Sequence, residues 1–285
     1  MFGKRYDGRR VHDMDPIQKI MPYVMKTRTD SMNMFEDQIA CEAMDDYIAR
    51  RKEDGLELSY MHILIAAMVR MLAIRPRLNR FVMNGKIYAR PKVWVSFVVH
   101  ETLREDSNET TIKLCFEGTE TIDEIAQVMN RRIAQETGKK REKNATDKLV
   151  SKLLNLPTFI LQPVVNFLMW MDRHNIMPKA IIEASPFHTS LFITNLKSLG
   201  INHIYHHVYE FGTTGLFIAM GKEKKKPVVV GSDVVIRKQM GFGLVTDERF
   251  CDGLYFARSL KKLKRFLANP AMLETPLEKR VEDAV

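Results

Sequence analysis

Apolar positions in the first half of the chain alternate between helical and strand spacing. Between Ser59 and Arg75, the residues Met61, Ile63, Leu64, Ile65, Ala67, Met68, Met71 and Leu72 cover most of a helical circumference. That pattern predicts a buried helix, capped by Ser59 and ended at Arg75-Pro76. Ahead of it, residues 32–41 lean towards a strand, and a helix follows through about Lys52 until Asp54-Gly55 stops it. Phe81-Val82-Met83, Asn84-Gly85 and Lys86-Ile87-Tyr88 predict a hairpin, because Asn-Gly supplies the positive φ angles of a type I′ turn. Val93–His100 and Thr110–Phe116 read as strands. Thr121, with Glu124 three residues on, opens a further helix with a capping-box start. It runs into the polar stretch Gln135–Asp147, a solvated helix or loop. Residues 1–35 mix charge, Pro16, Pro22 and methionines, and read as an arm with one short helical or extended piece.

The second half is strand-rich. Pro186 to Leu196 predicts a strand, and a turn around Gly200 leads to the strand-like Ile204–Tyr209. Gly215–Gly221, Pro227–Val230 and Val234–Arg237 follow as strands, with Lys222-Glu223-Lys224-Lys225-Lys226 between them as a solvated hairpin or loop. Leu244-Val245-Thr246 then enters a tight acidic-glycine turn, and an amphipathic helix begins near Leu254. Residues 149–171 are apolar enough to suggest a membrane span. Lys152, Asn155, Pro157, Gln162, Pro163 and Asn166 interrupt them, however, and the unbroken runs fall well short of roughly 20 residues. Two helices broken at the prolines and packed on the core or on a partner are the preferred reading, ahead of contact with a membrane surface.

The 285 residues suffice for one large domain with a sizeable core, and 45% hydrophobic with 28% charged residues is ordinary for a globular protein. A net charge of +9 suits nucleic acid, a membrane surface or an anionic ligand such as a coenzyme A phosphate. No aromatic-basic module supports nucleic acid. Cys41, Cys115 and Cys251 are widely spaced and without a CxxC, which points to a reducing compartment and away from disulfides or zinc. With no apolar leader at the N-terminus, the expected location is the cytoplasm.

The turn Asp247-Glu248-Arg249-Phe250-Cys251-Asp252-Gly253 has the form D-x-R-x-x-D-G before a helix. This resembles the active-site signature of the dihydrolipoyl acyltransferases of 2-oxoacid dehydrogenase complexes, and is related to the H-x-x-x-D-G of chloramphenicol acetyltransferase. Phe192-Ile193-Thr194-Asn195-Leu196 resembles those enzymes' F-T-I-S-N-L-G strand, and Leu216–Gly221 their A-I-L-A-V-G strand. The order helix, R-P-x-L-N, hairpin, strand also matches. The resemblance runs over about residues 16–270 and is interrupted at 140–185. It implies an α+β, chloramphenicol acetyltransferase-like two-layer fold, a central mixed sheet flanked by helices, here with an apolar helical insert. Residues 1–285 form a single catalytic-type domain in this reading, without lipoyl or subunit-binding domains.

By resemblance, the activity is coenzyme A-dependent acyl transfer to a thiol or hydroxyl acceptor, small or lipoyl-type, at a subunit boundary of a homotrimer. The family's base is a histidine, and its position falls on Glu248. The oxyanion-stabilising hydroxyl falls on Thr194 and the acid of the D-G pair on Asp252, with Arg249, Asp247 and Gly253 fixing the turn. A glutamate with a reference pKa near 4.3 is a weaker base than histidine by about 3 kcal/mol, unless burial raises it. Glu248 also reads as structural, paired with Arg249 or with a neighbour's lysine. His206, His207 and His188 are substitute candidates, and Cys251 reads as a small buried residue. No metal is expected, since His206, His207 and Glu210 lack ligand spacing. The alternative function is an inactive relative serving as a binding or scaffold module.

Overall fold

The computed structural model describes residues 5–100, 109–137 and 145–283. In chain order the elements are β1 (Arg9–Arg10), α1 (Pro16–Val24), β2 (Met32–Ala40), α2 (Glu42–Glu53), α3 (Tyr60–Ile74), β3 (Arg80–Met83), β4 (Lys86–Ala89), β5 (Val93–His100), β6 (Glu109–Phe116) and α4 (Ile122–Thr137). After these come α5 (Ala145–Leu154), α6 (Thr158–Arg173), α7 (Lys179–Ala184), β7 (Leu191–Asn195), β8 (Leu216–Val230), β9 (Asp233–Asp247) and α8 (Gly253–Ala268). Six strands form a mixed sheet in the order β2-β9-β8-β7-β5-β6, and β1-β4-β3 make a small second sheet. The pairs β5–β7 and β7–β8 are parallel and the others antiparallel.

One face of the large sheet is covered by α2, α3, α4 and α8. Every residue of α3 except Ile74 is buried, as its all-round apolar pattern requires. His62 completes the start of that helix, its Nδ1 accepting from Ser59 N at 3.0 Å. The Asn84-Gly85 turn takes φ angles of 48° and 70°, as its dipeptide predicts. Thr121 and Glu124 hold each other's backbone amides at 3.3 and 2.8 Å, closing the expected capping box at α4. The polar stretch beyond α4 lies largely outside the described residues.

The other face carries a covering strap rather than a helix layer. Ile204–Tyr209, expected as a strand, form no ladder; residues 201–209 cross the sheet as irregular backbone, with Val208 packed on Phe192, Phe217 and Val245. Glycines make room for the strap. A methyl group at Gly243 would lie 2.0 Å from Ile204 O, and one at Gly221 would lie 2.3 Å from His203 N. Gly243→Ala is therefore expected to destabilise the protein by about 1–3 kcal/mol, with faster proteolysis near residue 205. Gly253→Ala is the control, because a methyl group there meets nothing within 4 Å. Equal melting temperatures for the two variants would count against a glycine-seated strap.

Two further expectations need correction. Of the two readings of the lysine run, hairpin or loop, the loop is corrected: Lys222–Lys226 belong to β8 of the β8–β9 hairpin, whose reversal comes at Gly231, where φ is +64°. β2 pairs with β9 only as far as Gln239, and β7 with β8 only as far as Met220. The remainder projects as a two-stranded arm with solvent on both sides, where lysines fit as well as in a loop. Val229 (71% exposed), Val234 (69%) and Ile236 (65%) share one face of it. Secondly, the 149–171 stretch breaks at Asn155–Pro157 but not at Pro163, which lies inside α6. Nor does α6 pack into the core, for only Asp172 of its 16 residues is buried. Phe167 stacks on Trp170 at 5.8 Å on its outward surface. Among the described residues no helix is long and apolar enough to cross a membrane.

Candidate active site

The acidic-glycine turn is built by alternation at the end of β9. Asp247 and Arg249 point inward and are buried, while Glu248 between them is exposed. Arg249 folds back on Asp247 with Nη2–Oδ2 at 2.6 Å and Nε–Oδ1 at 2.9 Å, and its Nη1 reaches Met25 O at 3.3 Å. This bidentate pair is the brace of the turn. The Glu248 backbone is tied down as well, its N–H donating to Ser31 O at 2.9 Å. The carboxylate has no hydrogen bond or ion pair among the described residues, so pairing with Arg249 is not what occupies it.

Asp252 caps α8, accepting from Tyr255 N at 2.8 Å, with Arg77 3.8 Å away. Gly253 opens that helix without a left-handed φ and with open space around its Cα. A tight path at Gly253 is therefore not the reason for a glycine there. Cys251 is buried, and burial pushes its thiol up to about 12, which makes it inert as a nucleophile at neutral pH.

Thr194 sits in the same sheet but not beside Glu248. It pairs with Ala219, and Ala219 pairs with Gly243, so Glu248 lies five residues further along β9 and two strands across. At about 3.3 Å per residue and 4.8 Å per strand, the two backbones are roughly 19 Å apart. One chain alone does not bring them together. The Thr194 hydroxyl is half-buried and unbonded among the described residues.

The three histidines divide. His188 is fully buried, its Nε2–H donating to Asp172 Oδ2 at 3.1 Å and its Nδ1 accepting from Ser185 Oγ at 2.8 Å. Burial lowers its pKa against the pull of Asp172. Arg5 Nη1 lies 2.8 Å from Asp172 Oδ1, and Arg5 and Arg90 both approach Asp7, at 2.9 and 3.5 Å. His188 is thus part of a buried five-member ionic network, remote from Thr194 at the opposite end of β7. His206 lies flat on Phe217 at 3.9 Å and donates from Nδ1 to His207 O, while burial lowers its pKa. Phe217 pairs with Phe192, two residues before Thr194, so His206 shares Thr194's face of the sheet. His207 is exposed. Glu210 turns away from both, accepting from Arg28 N and from the Thr29 amide and hydroxyl. No group of His, Cys, Asp and Glu suited to a metal occurs among the described residues.

Sequence reasoning missed Arg28. It is fully buried, three residues ahead of the backbone that holds Glu248, and donates to Thr214 O, Val82 O and Gly212 O at 3.1, 3.1 and 2.5 Å. Its neighbours come from two distant segments, around Val82 and over residues 212–214, and no local spacing marks it. Arg28 and Arg249 line a cleft of about 480 Å³ between the end of α1, the Asn84-Gly85 turn, the end of α6 and Gly212.

Residues 188–274 match the family model for 2-oxoacid dehydrogenases acyltransferase (catalytic domain). No curated protein matches the chain. Among solved structures, the dihydrolipoamide acetyltransferase of Azotobacter vinelandii is 14% identical, with a TM-score of 0.57 over 92% of this chain and 93% of its own. A serine, a histidine and an asparagine four positions after that histidine were investigated for their role in its mechanism. The truncated catalytic core of the 2-oxoacid dehydrogenase multienzyme complex from Thermoplasma acidophilum is 13% identical, with a TM-score of 0.56 over 92% and 99% of the two chains. A chloramphenicol acetyltransferase is 11% identical, with a TM-score of 0.54 over 91% and 99%. At these identities the structures share the fold, a mixed sheet flanked by helices. The chain thus has the mixed-sheet fold of these acyltransferases, and over residues 188–274 it is similar to the acyltransferase catalytic domain of the 2-oxoacid dehydrogenases.

Proposed function

We propose that this protein is a coenzyme A-dependent acyltransferase whose site is completed between subunits of a homotrimer. Glu248 is the base and Thr194 the oxyanion donor. The observation that carries this reading is that both groups are unbonded and open, yet roughly 19 Å apart within one chain. A neighbouring copy facing this one brings Thr194 of one subunit to Glu248 of the next. The Glu248 carboxylate then takes the proton of the acceptor thiol or hydroxyl as that group attacks the thioester carbonyl. Thr194 donates to the resulting oxyanion. Collapse expels the coenzyme A thiolate, which takes the proton back from Glu248, and the acyl group leaves on the acceptor. The neighbour also supplies the burial that a glutamate needs to work as a base near neutral pH.

The test is acetyl-coenzyme A turnover with small thiols. Glu248→Gln is expected to lower kcat by about 10²–10⁴, with coenzyme A affinity unchanged by calorimetry. Glu248→His, restoring the family's base, is expected to be at least as active as wild type at pH 7. Should wild type bind coenzyme A and turn nothing over, while Glu248→His does, the chain is a binding module derived from an enzyme.

A further inference from the structure

The cleft that Arg249, the residue after Glu248, helps to line is cationic in an unusual way. Four basic side chains line it: Lys26, Arg28, Arg173 and Arg249. Its two acids, Asp172 and Glu210, are already engaged, Asp172 with Arg5 and His188, and Glu210 with Arg28 N, Thr29 N and the Thr29 hydroxyl. Arg249 is neutralised by Asp247. Arg28, although fully buried, bonds only to three backbone carbonyls, so three of a guanidinium's five N–H donors are used and no carboxylate is bonded to it. Lys26 and Arg173 at the rim have no ion pair among the described residues. A buried guanidinium with spare donors, flanked by two free cations, is a receptor for a carboxylate or phosphate.

Given the acyltransferase reading, on which this step rests, we propose that the cleft holds an anionic group of the acyl acceptor, so that the substrate is a thiol or hydroxyl compound bearing a carboxylate or phosphate. The proton that Glu248 removes belongs to the acceptor, and Arg249 joins the Glu248 turn to the cleft wall. The acceptor's anion therefore docks at the wall formed by the residue that follows the base. The volume, about 480 Å³, falls in the range for a small ligand.

The test separates binding from turnover. N-acetylmethionine carries a carboxylate and a thioether that cannot be acylated, and N-acetylmethionine amide is its neutral counterpart. Wild type is expected to bind the acid at least about tenfold more tightly than the amide, as a charge-assisted contact implies. Lys26→Gln/Arg173→Gln is expected to remove most of that preference and leave coenzyme A affinity alone. Both positions are exposed, so the variant is expected to fold. Equal affinity for acid and amide overturns the proposal, and so does a variant that loses coenzyme A affinity instead, since the cleft then serves the coenzyme's phosphates. If the acid is preferred but coenzyme A does not bind at all, the anion site stands and the acyltransferase reading fails.

Discussion

Asp172→Ala is expected to destabilise the fold by about 3–5 kcal/mol, because it removes one partner of a buried ionic network and leaves the rest uncompensated. For a chain of this size that is a fall in melting temperature of roughly 6–15 °C. Asp172 meets both Arg5 and His188, and all three are buried. The network joins the N-terminal arm, the end of α6 and the segment leading into β7, so losing it loosens three places at once. Arg5→Met and Asp172→Ala should be far from additive in a double-mutant cycle; additivity would show that the pair is not coupled.

Acid exposes the same network. Burial works to raise the Asp7 and Asp172 carboxyls, but for Asp7 the charges of Arg5 and Arg90 outweigh it, and for Asp172 the His188 hydrogen bond and the charges of His188 and Arg5 do so. Both are held below their ordinary range, so their contribution is present above about pH 4 and is lost as pH falls through the folded values. The His188 pKa is lowered, so below about pH 6.5 the unfolded chain takes a proton that the folded one refuses. Both effects have the same sign: stability falls on acidification, first gently and then steeply. In Asp172→Ala that decline should be shallower.

Subunit complementation is the second large expectation. Thr194→Ala and Glu248→Gln should each be nearly inactive, since removal of an oxyanion donor costs about 10²–10³ and of a base about 10²–10⁴. If each site takes Thr194 from one copy and Glu248 from the next, refolding the two variants together in equal amounts regenerates intact sites. Random association around a ring restores about a quarter of them. Refolded separately and mixed without exchange, they should remain inactive. Failure to recover activity on joint refolding, with both variants folded, would remove at least one of the two groups from a shared site.

Much of the scaffold was legible because its signals are local. The all-apolar α3, the Asn84-Gly85 hairpin, the Thr121–Glu124 capping box and the turn from β9 into α8 each lie within a few residues. What escaped depends on register or on distant partners. Gly221, Gly241 and Gly243 form one bare floor only because β8 and β9 pair as they do, and without that floor the strap looks like a strand. Arg5, Asp7, Arg90, Asp172 and His188 meet from four separate segments. The signature and the F-I-T-N-L strand point to Glu248 and Thr194 as candidates. Their separation was not legible, since it follows from the shift of pairing across two neighbouring strands.

The projecting end of β8 and β9 makes ionic strength a variable for this protein in its own right. Neither border pairs with a further strand beyond Gln239 and Met220, and Val229, Val234 and Ile236 stand uncovered between them. Such borders pair readily with another copy. What opposes indiscriminate pairing is the excess of positive charge, Lys224, Lys225 and Lys226 on β8 beside Arg237 and Lys238 on β9, of which the last two meet Glu42 and Asp45. Concentrated salt shortens the reach of that repulsion to a few ångströms, so clustering of molecules grows with added electrolyte, and dilute buffers keep the solution clear.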